Sequence, residues 1–186
     1  MTAGALDPAG AGSGGPGPGP GGPGSGGSGG SGGPGDAGER PIVLLLSGPN
    51  LNLLGEREPD VYGTTTLADH VATATAEAER HGLALEHLQT NHEGALVEAV
   101  HAARGRCAAI VVNPGAFTHY AWSIHDALAA FEGPVVELHL SNPNAREPWR
   151  HTSVVAPVAA GTIAGFGADG YRLAIDAVAR LLEDAR

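Results

Sequence analysis

Short apolar runs bounded by Gly and Pro, alternating with segments of helical periodicity, predict an α/β chain on a parallel sheet. Ile42–Leu46 and Cys107–Val112 are wholly apolar, as strands covered on both faces are. The segments between the runs repeat apolar residues at three- and four-residue spacing instead of alternating. Five strands in one domain-sized span suit a flavodoxin-like, doubly wound, five-stranded parallel sheet with helices on both faces and right-handed crossovers.

The elements follow in order. Ile42–Leu46 is the first strand, and Leu67–His81 a weakly amphipathic helix with Thr66 as its cap. Leu83–Leu88 is the second strand, with Glu93 capping a helix over Glu93–Ala103. Cys107–Val112 is the third, followed by a helix through Trp122, Ile124, Leu128 and Phe131. Val135–Leu140 is the fourth strand and Thr162–Phe166 the fifth. A last helix spans Tyr171–Leu182, where Leu173, Ile175, Val178, Leu181 and Leu182 recur at helical spacing.

Residues 1–40 contain eighteen Gly and six Pro and almost nothing apolar, which predicts a disordered tail ahead of a single domain over 41–186. The tail has no basic start and no apolar core, so it does not read as a secretory signal, and its near-lack of Arg, with Arg40 alone at its end, argues against a transit peptide. No apolar run approaches the roughly twenty residues that span a bilayer. The single cysteine, Cys107, excludes a disulfide framework and fits a cytoplasmic location. The tail carries −2 of the formal charge of −10, leaving −8 on the domain, an unsuitable balance for nucleic acid or an anionic membrane. All ten basic residues are arginine. A lysine Schiff base and a phosphate-loop lysine are therefore unavailable.

Ligand sites of open α/β sheets lie at the carboxyl ends of the strands. The first strand opens into SGPNLNLLGEREPDVYG, which offers Asn50, Asn52, Arg57 and Tyr62 between glycines that permit tight turns. The third strand ends in Asn113, with His119 and Asp126 beyond. The fourth carries Glu137 and His139 and runs into Leu140, Ser141 and Asn142, then Arg146 and Arg150. These groups suit acid–base chemistry on a bound polar substrate. Tyr62 is a base if the Arg57 guanidinium lowers its phenol pKa, and Asn50 supplies a dipole to a developing oxyanion. His139 is an acid whose tautomer Glu137, two residues away on the same strand face, can set, and Arg150 with backbone N–H groups suits a carboxylate. Arg146 reads equally well as an ion-pair residue or a ligand.

Other motifs are weaker. Gly165–Gly170 fits G-x-G-x-x-G, but only sixteen residues follow, too few for a dinucleotide unit, so the glycines read as close strand–helix packing. His119, His125 and His139 invite a zinc reading, but no H-E-x-x-H accompanies them and no metal is assigned. No G-x-S-x-G elbow is present. His81, His87 and His101 read as surface residues.

GPNLNLLGEREPDVYG, QTNHEG, NPGAFTHYAWSIHDAL and ELHLSNPNAREPWR together resemble the signature segments of type II 3-dehydroquinate dehydratases, and the likeness covers the whole folded part. It implies dehydration of 3-dehydroquinate to 3-dehydroshikimate without a cofactor, in a homododecamer built as a tetramer of trimers. It also implies roles: Tyr62 as base, Arg57 as lid arginine, Asn50 as enolate stabiliser, His139 as acid and Glu137 as its orienting partner. Asn113, His119, Leu140, Ser141 and Arg150 match substrate contacts, and Asp126 a residue reaching a neighbouring subunit's site. Pro143-Asn144 and His151 depart from the pattern beside the site. A flavin- or nucleotide-binding module and a non-catalytic ligand binder are the alternative readings on this fold.

Overall fold

The computed structural model describes residues 40–56 and 64–185, all within the compact unit Gly38–Arg186. The expected tail, apart from Arg40, lies outside the described residues, as do Arg57 and Tyr62. Five strands form one parallel sheet: β1 (Ile42–Ser47), β2 (Ala84–Gln89), β3 (Ala109–Asn113), β4 (Val135–His139) and β5 (Gly161–Ala164). Their order is β2-β1-β3-β4-β5, the flavodoxin-like arrangement the sequence predicts. Four helices connect or follow them: α1 (Leu67–Arg80), α2 (Glu93–Ala103), α3 (Trp122–Ala129) and α4 (Asp169–Asp184).

The period-two alternation of β1 divides the core. Val43 and Leu45 face one side with Ala74 and Ala78 of α1 and Ile175 and Val178 of α4. Leu44 and Leu46 face the other with Leu96 and Val100 of α2 and Ile124 and Leu128 of α3. Two helices thus cover each face, and a one-residue slip of β1 would exchange its two sets of apolar side chains.

Helix α1 starts where Thr66 predicts, in a full capping box. Thr66 Oγ1 accepts from the Asp69 N–H at 3.2 Å, and Asp69 Oδ2 accepts from the Thr66 N–H at 3.0 Å. Helix α2 differs from expectation: its cap position is His92, and Glu93, the first helical residue, accepts a hydrogen bond from Ser123 Oγ instead. Strand β5 stops at Ala164 rather than Phe166 because Gly165 turns into a left-handed conformation, φ 88°. Gly170, the last glycine of the discounted motif, starts α4 against β4; a Cβ there would lie 3.0 Å from Leu138 Cδ1.

Of the three histidines read as surface residues, one is half-buried. His87 on β2 turns toward β1, with Nε2 3.0 Å from Ser47 Oγ, and burial lowers its pKa. His81 and His101 are both exposed, His81 in contact with Glu77 (3.2 Å) and Asp176 (3.5 Å).

A fully buried imidazole makes a prediction. His70 on α1 stacks on Tyr171 of α4, centroids 4.8 Å apart, and its Nε2 is buried without a hydrogen-bond partner. Burial lowers the His70 pKa, so the fold holds it neutral while the unfolded chain protonates near pH 6.5. Stability from this residue is present above that pH and falls as pH drops below it. His70→Phe keeps the stack and removes the orphaned nitrogen. It should stabilise the protein by about 1 kcal/mol at pH 8 and by more at pH 5, read from denaturant unfolding at both pH values.

Candidate active site

The carboxyl ends of β1, β3 and β4 and the turns after them enclose a cavity of about 270 Å³. Asn50, Leu51, Leu53 and Leu54 line it from the loop after β1; Asn113, Gly115, Ala116 and His119 line it from the end of β3 and the 3₁₀ turn beyond. His139, Leu140, Ser141, Pro143, Arg146, Trp149 and Arg150 line it from β4 onward. The backbone crowding that joins these walls explains two glycines. A Cβ on Gly48 would lie 2.4 Å from the Pro114 carbonyl oxygen, and Gly115, at φ 54°, approaches Pro49.

Behind His139 sits a fully buried carboxylate. Glu137 Oε1 accepts from Thr118 Oγ1 at 2.5 Å and from His139 Nε2 at 2.9 Å. Ser153 Oγ lies 2.9 Å from Oε1 and 3.0 Å from Oε2, and Oε2 also accepts from Thr162 Oγ1 at 3.3 Å. Burial alone would raise the Glu137 pKa, but hydrogen bonds from His139, Thr118 and Ser153, with the charge of His139, outweigh it and hold the pKa below normal. The carboxylate stays ionised, fixes the proton of the imidazole on Nε2, and leaves Nδ1 as the nitrogen to serve a substrate.

Two arginines share one anchor. Arg150 Nε donates to Glu147 Oε2 at 2.7 Å, and Arg146 Nε lies 3.6 Å from the same oxygen. The Arg150 guanidinium also stacks over Trp149, 4.0 Å from the ring centroid, and His119 packs its edge against that ring. His119 Nδ1 donates to the Thr152 carbonyl at 2.7 Å, so a neutral His119 offers Nε2 as an acceptor. Asn113 Oδ1 accepts from the Gly115 N–H at 3.3 Å.

The cavity brings together Asn50, Asn113, His119, His139, Leu140, Ser141 and Arg150, with Glu137 directly behind, as sequence reasoning places them. Arg57 and Tyr62 lie outside the described residues; the chain leaves that wall at Gly55 and returns beside it, since a Cβ on Gly55 would lie 3.0 Å from the Thr64 carbonyl oxygen. Asp126 does not reach the cavity of its own chain and is exposed on α3. The histidines of the zinc reading are committed separately, His125 to the Val154 carbonyl at 2.7 Å. Among the described residues, the one group with ligand-like spacing is Glu77, His81 and Asp176, none of which lines the cavity.

Sequence reasoning missed Thr118, Ser153, Thr162 and Trp149. Thr118 stands beside His119 in a quoted motif and was within reach. Ser153 follows in an irregular segment and Thr162 on β5, with no pattern to mark either as a partner of Glu137.

Fold and site define an α/β protein whose sheet edge holds a cavity lined by two arginines and backed by a buried imidazole–carboxylate pair. The family profile described as Dehydroquinase class II matches residues 41–179. The chain belongs to that family. It is 54% identical over 145 residues to "3-dehydroquinate dehydratase 2" of Pseudomonas putida, covering 78% of this chain and 97% of that one. It is 56% identical over 137 residues to "Catabolic 3-dehydroquinase" of Aspergillus clavatus, covering 74% and 91%. Type II dehydroquinase structures from Butyrivibrio crossotus and Propionibacterium acnes superpose with TM-scores of 0.73 and 0.72 at 40% and 42% identity. Each match covers 76% of this chain and 99% of the other.

Proposed function

We propose that this chain dehydrates 3-dehydroquinate to 3-dehydroshikimate by trans elimination through an enolate. The observation that carries it is the ionised Glu137 holding His139 at a cavity that also contains Arg150, Asn113 and Asn50. Tyr62, as phenolate beside Arg57, takes the proton α to the ketone, and the electron pair moves onto the carbonyl oxygen. Asn50 aims its amide dipole at that enolate. The pair then returns to expel the β-hydroxyl, to which His139 as imidazolium gives its Nδ1 proton, keeping the Nε2–H that Glu137 holds, so that water leaves and a conjugated enone remains. Arg150, with the backbone at Leu140 and Ser141 and the side chains of Asn113 and His119, holds the substrate carboxylate and hydroxyls. Membership of the dehydroquinase family disfavours the flavin-binding and non-catalytic readings.

The test mixes the protein with 3-dehydroquinate and follows near-ultraviolet absorbance, then repeats the reaction with borohydride. Enone absorbance is expected, with no mass added to the chain, because no lysine is present to form a reducible adduct. A stable adduct would overturn the enolate route, and an absent enone the function.

The same reading includes a cytoplasmic homododecamer, a tetramer of trimers, with Asp126 reaching a neighbour's site. Among the described residues, no helix is long and apolar enough to cross a membrane. Tyr120 and Trp122, exposed at the start of the segment bearing Asp126, support an assembly through this surface. Asp126→Ala should lower kcat/KM by about tenfold, the loss of one charged hydrogen bond, while leaving the chain folded. Light scattering beside the assay checks this, and a fully active monomer would refute it.

A further inference from the structure

The QTNHEG segment contributes nothing to the cavity wall, yet it is tied to the loop that does. Parallel pairing sets Ser47, the last residue of β1, beside Gln89, the last of β2. The chains leave the sheet side by side, joined by the Thr90 N–H donating to the Ser47 carbonyl at 3.0 Å. Two residues on, Asn91 Oδ1 accepts from the backbone N–H of Asn50 at 2.8 Å. Gln89 Nε2 donates to the same Asn91 oxygen at 3.2 Å and reaches the Gly48 carbonyl and Asn52 Oδ1, both at 3.3 Å. Side chains from β2 therefore grip the β1 loop at positions 48, 50 and 52, around one residue.

That residue has an unusual backbone. Asn50 is the only described non-glycine residue with positive φ, at 64°. Asn tolerates the left-handed region, but an unrestrained loop drains from it into the broader right-handed and extended regions, which would swing the side chain away. The Asn50 side chain makes no cap to the 3₁₀ turn it precedes, so its amide remains available to the cavity it lines.

The geometry points to Gln89 and Asn91 as positioning residues that lock Asn50 in its left-handed conformation and so aim its amide at the developing oxyanion. This rests on the proposed dehydration. The effect should fall on the rate of chemistry, since a small misplacement of a transition-state donor costs kcat more than binding.

A double-variant cycle tests it. Asn91→Ala should lower kcat by about tenfold or more with KM within about twofold. Asn91→Asp keeps an oxygen acceptor for both N–H groups and should recover kcat to within about threefold of the parent. In an Asn50→Gly background, where glycine holds positive φ without help and the amide is gone, Asn91→Ala should change kcat by less than about twofold. A general structural role would instead lower kcat equally in both backgrounds, and that result overturns the proposal. So does a near-parental kcat for Asn91→Ala alone. If Asn91→Ala does not fold, Gln89→Ala takes its place, with a loss of about threefold that also vanishes in the Asn50→Gly background. A parent enzyme that forms no enone defeats the proposed function; an active parent with an indifferent position 91 defeats only this positioning role.

Discussion

Replacing Glu137 by Gln is expected to lower kcat by about a hundredfold or more, the cost of disabling a general acid, and to destabilise the fold as well. The substitution conserves shape and removes only charge, but every donor around this carboxylate depends on that charge. Thr118 and His139 donate to one oxygen and Thr162 to the other, while Ser153 lies within reach of both. An amide must turn its NH₂ toward one side, so at least one hydroxyl has to rotate from donating to accepting, in a site with no exposure to water. A stability loss of about 1–3 kcal/mol at pH 7 follows from the charged hydrogen bonds given up. The catalytic loss arises because His139 no longer faces a fixed anion when it carries the proton it must deliver.

The pH dependence has a definite sign. The Glu137 pKa is lowered in the folded protein, so its contribution to stability is present above the unfolded carboxylate value near 4.5 and is lost as pH falls through the folded value. The parent should therefore lose stability between about pH 4.5 and more acid conditions, and the Gln variant should lose less over that interval. Denaturant unfolding at pH 7 and pH 4, beside steady-state kinetics, checks both halves. Equal acid sensitivity in the two proteins would mean that Glu137 is not held ionised by its neighbours.

Tyr62→Phe is expected to lower kcat by at least about a hundredfold while leaving KM within a fewfold. Phenylalanine keeps the ring and removes the oxygen that accepts the α-proton. An ordinary phenol, with a pKa near 10, is poorly ionised at neutral pH, so the role requires a nearby cation. Arg57, five residues before it, is the candidate, and such a charge lowers a pKa by about one to three units. Activity of the parent should thus rise on an alkaline-going limb set by Tyr62. Arg57→Gln should move that limb upward by at least about one unit. A Tyr62→Phe enzyme with near-parental turnover would require another base.

The sheet and the positions of the main site residues were legible in the sequence because both follow from short-range pattern. Strands buried on two faces must be apolar throughout, and residues just past their carboxyl ends must gather at one edge of a parallel sheet. That reasoning places Asn50, Asn113, His139 and Arg150 at one cavity, where the structure has them. The Glu137–His139 pair was equally accessible, since residues two apart on a strand share a face.

Other features were decided only by tertiary packing. Thr118, Ser153 and Thr162 meet on Glu137 across 19, 16 and 25 residues of chain, and a lone hydroxyl carries no periodicity to announce its partner. His87 and Ser47 lie 40 residues apart and meet because β2 pairs with β1, and the QTNHEG segment reaches Asn50 through the same pairing. Local sequence determines which face of an element is apolar and where a strand ends. Which polar groups become partners depends on strand order and register, and these are set by the simultaneous burial of two opposite faces of the whole sheet.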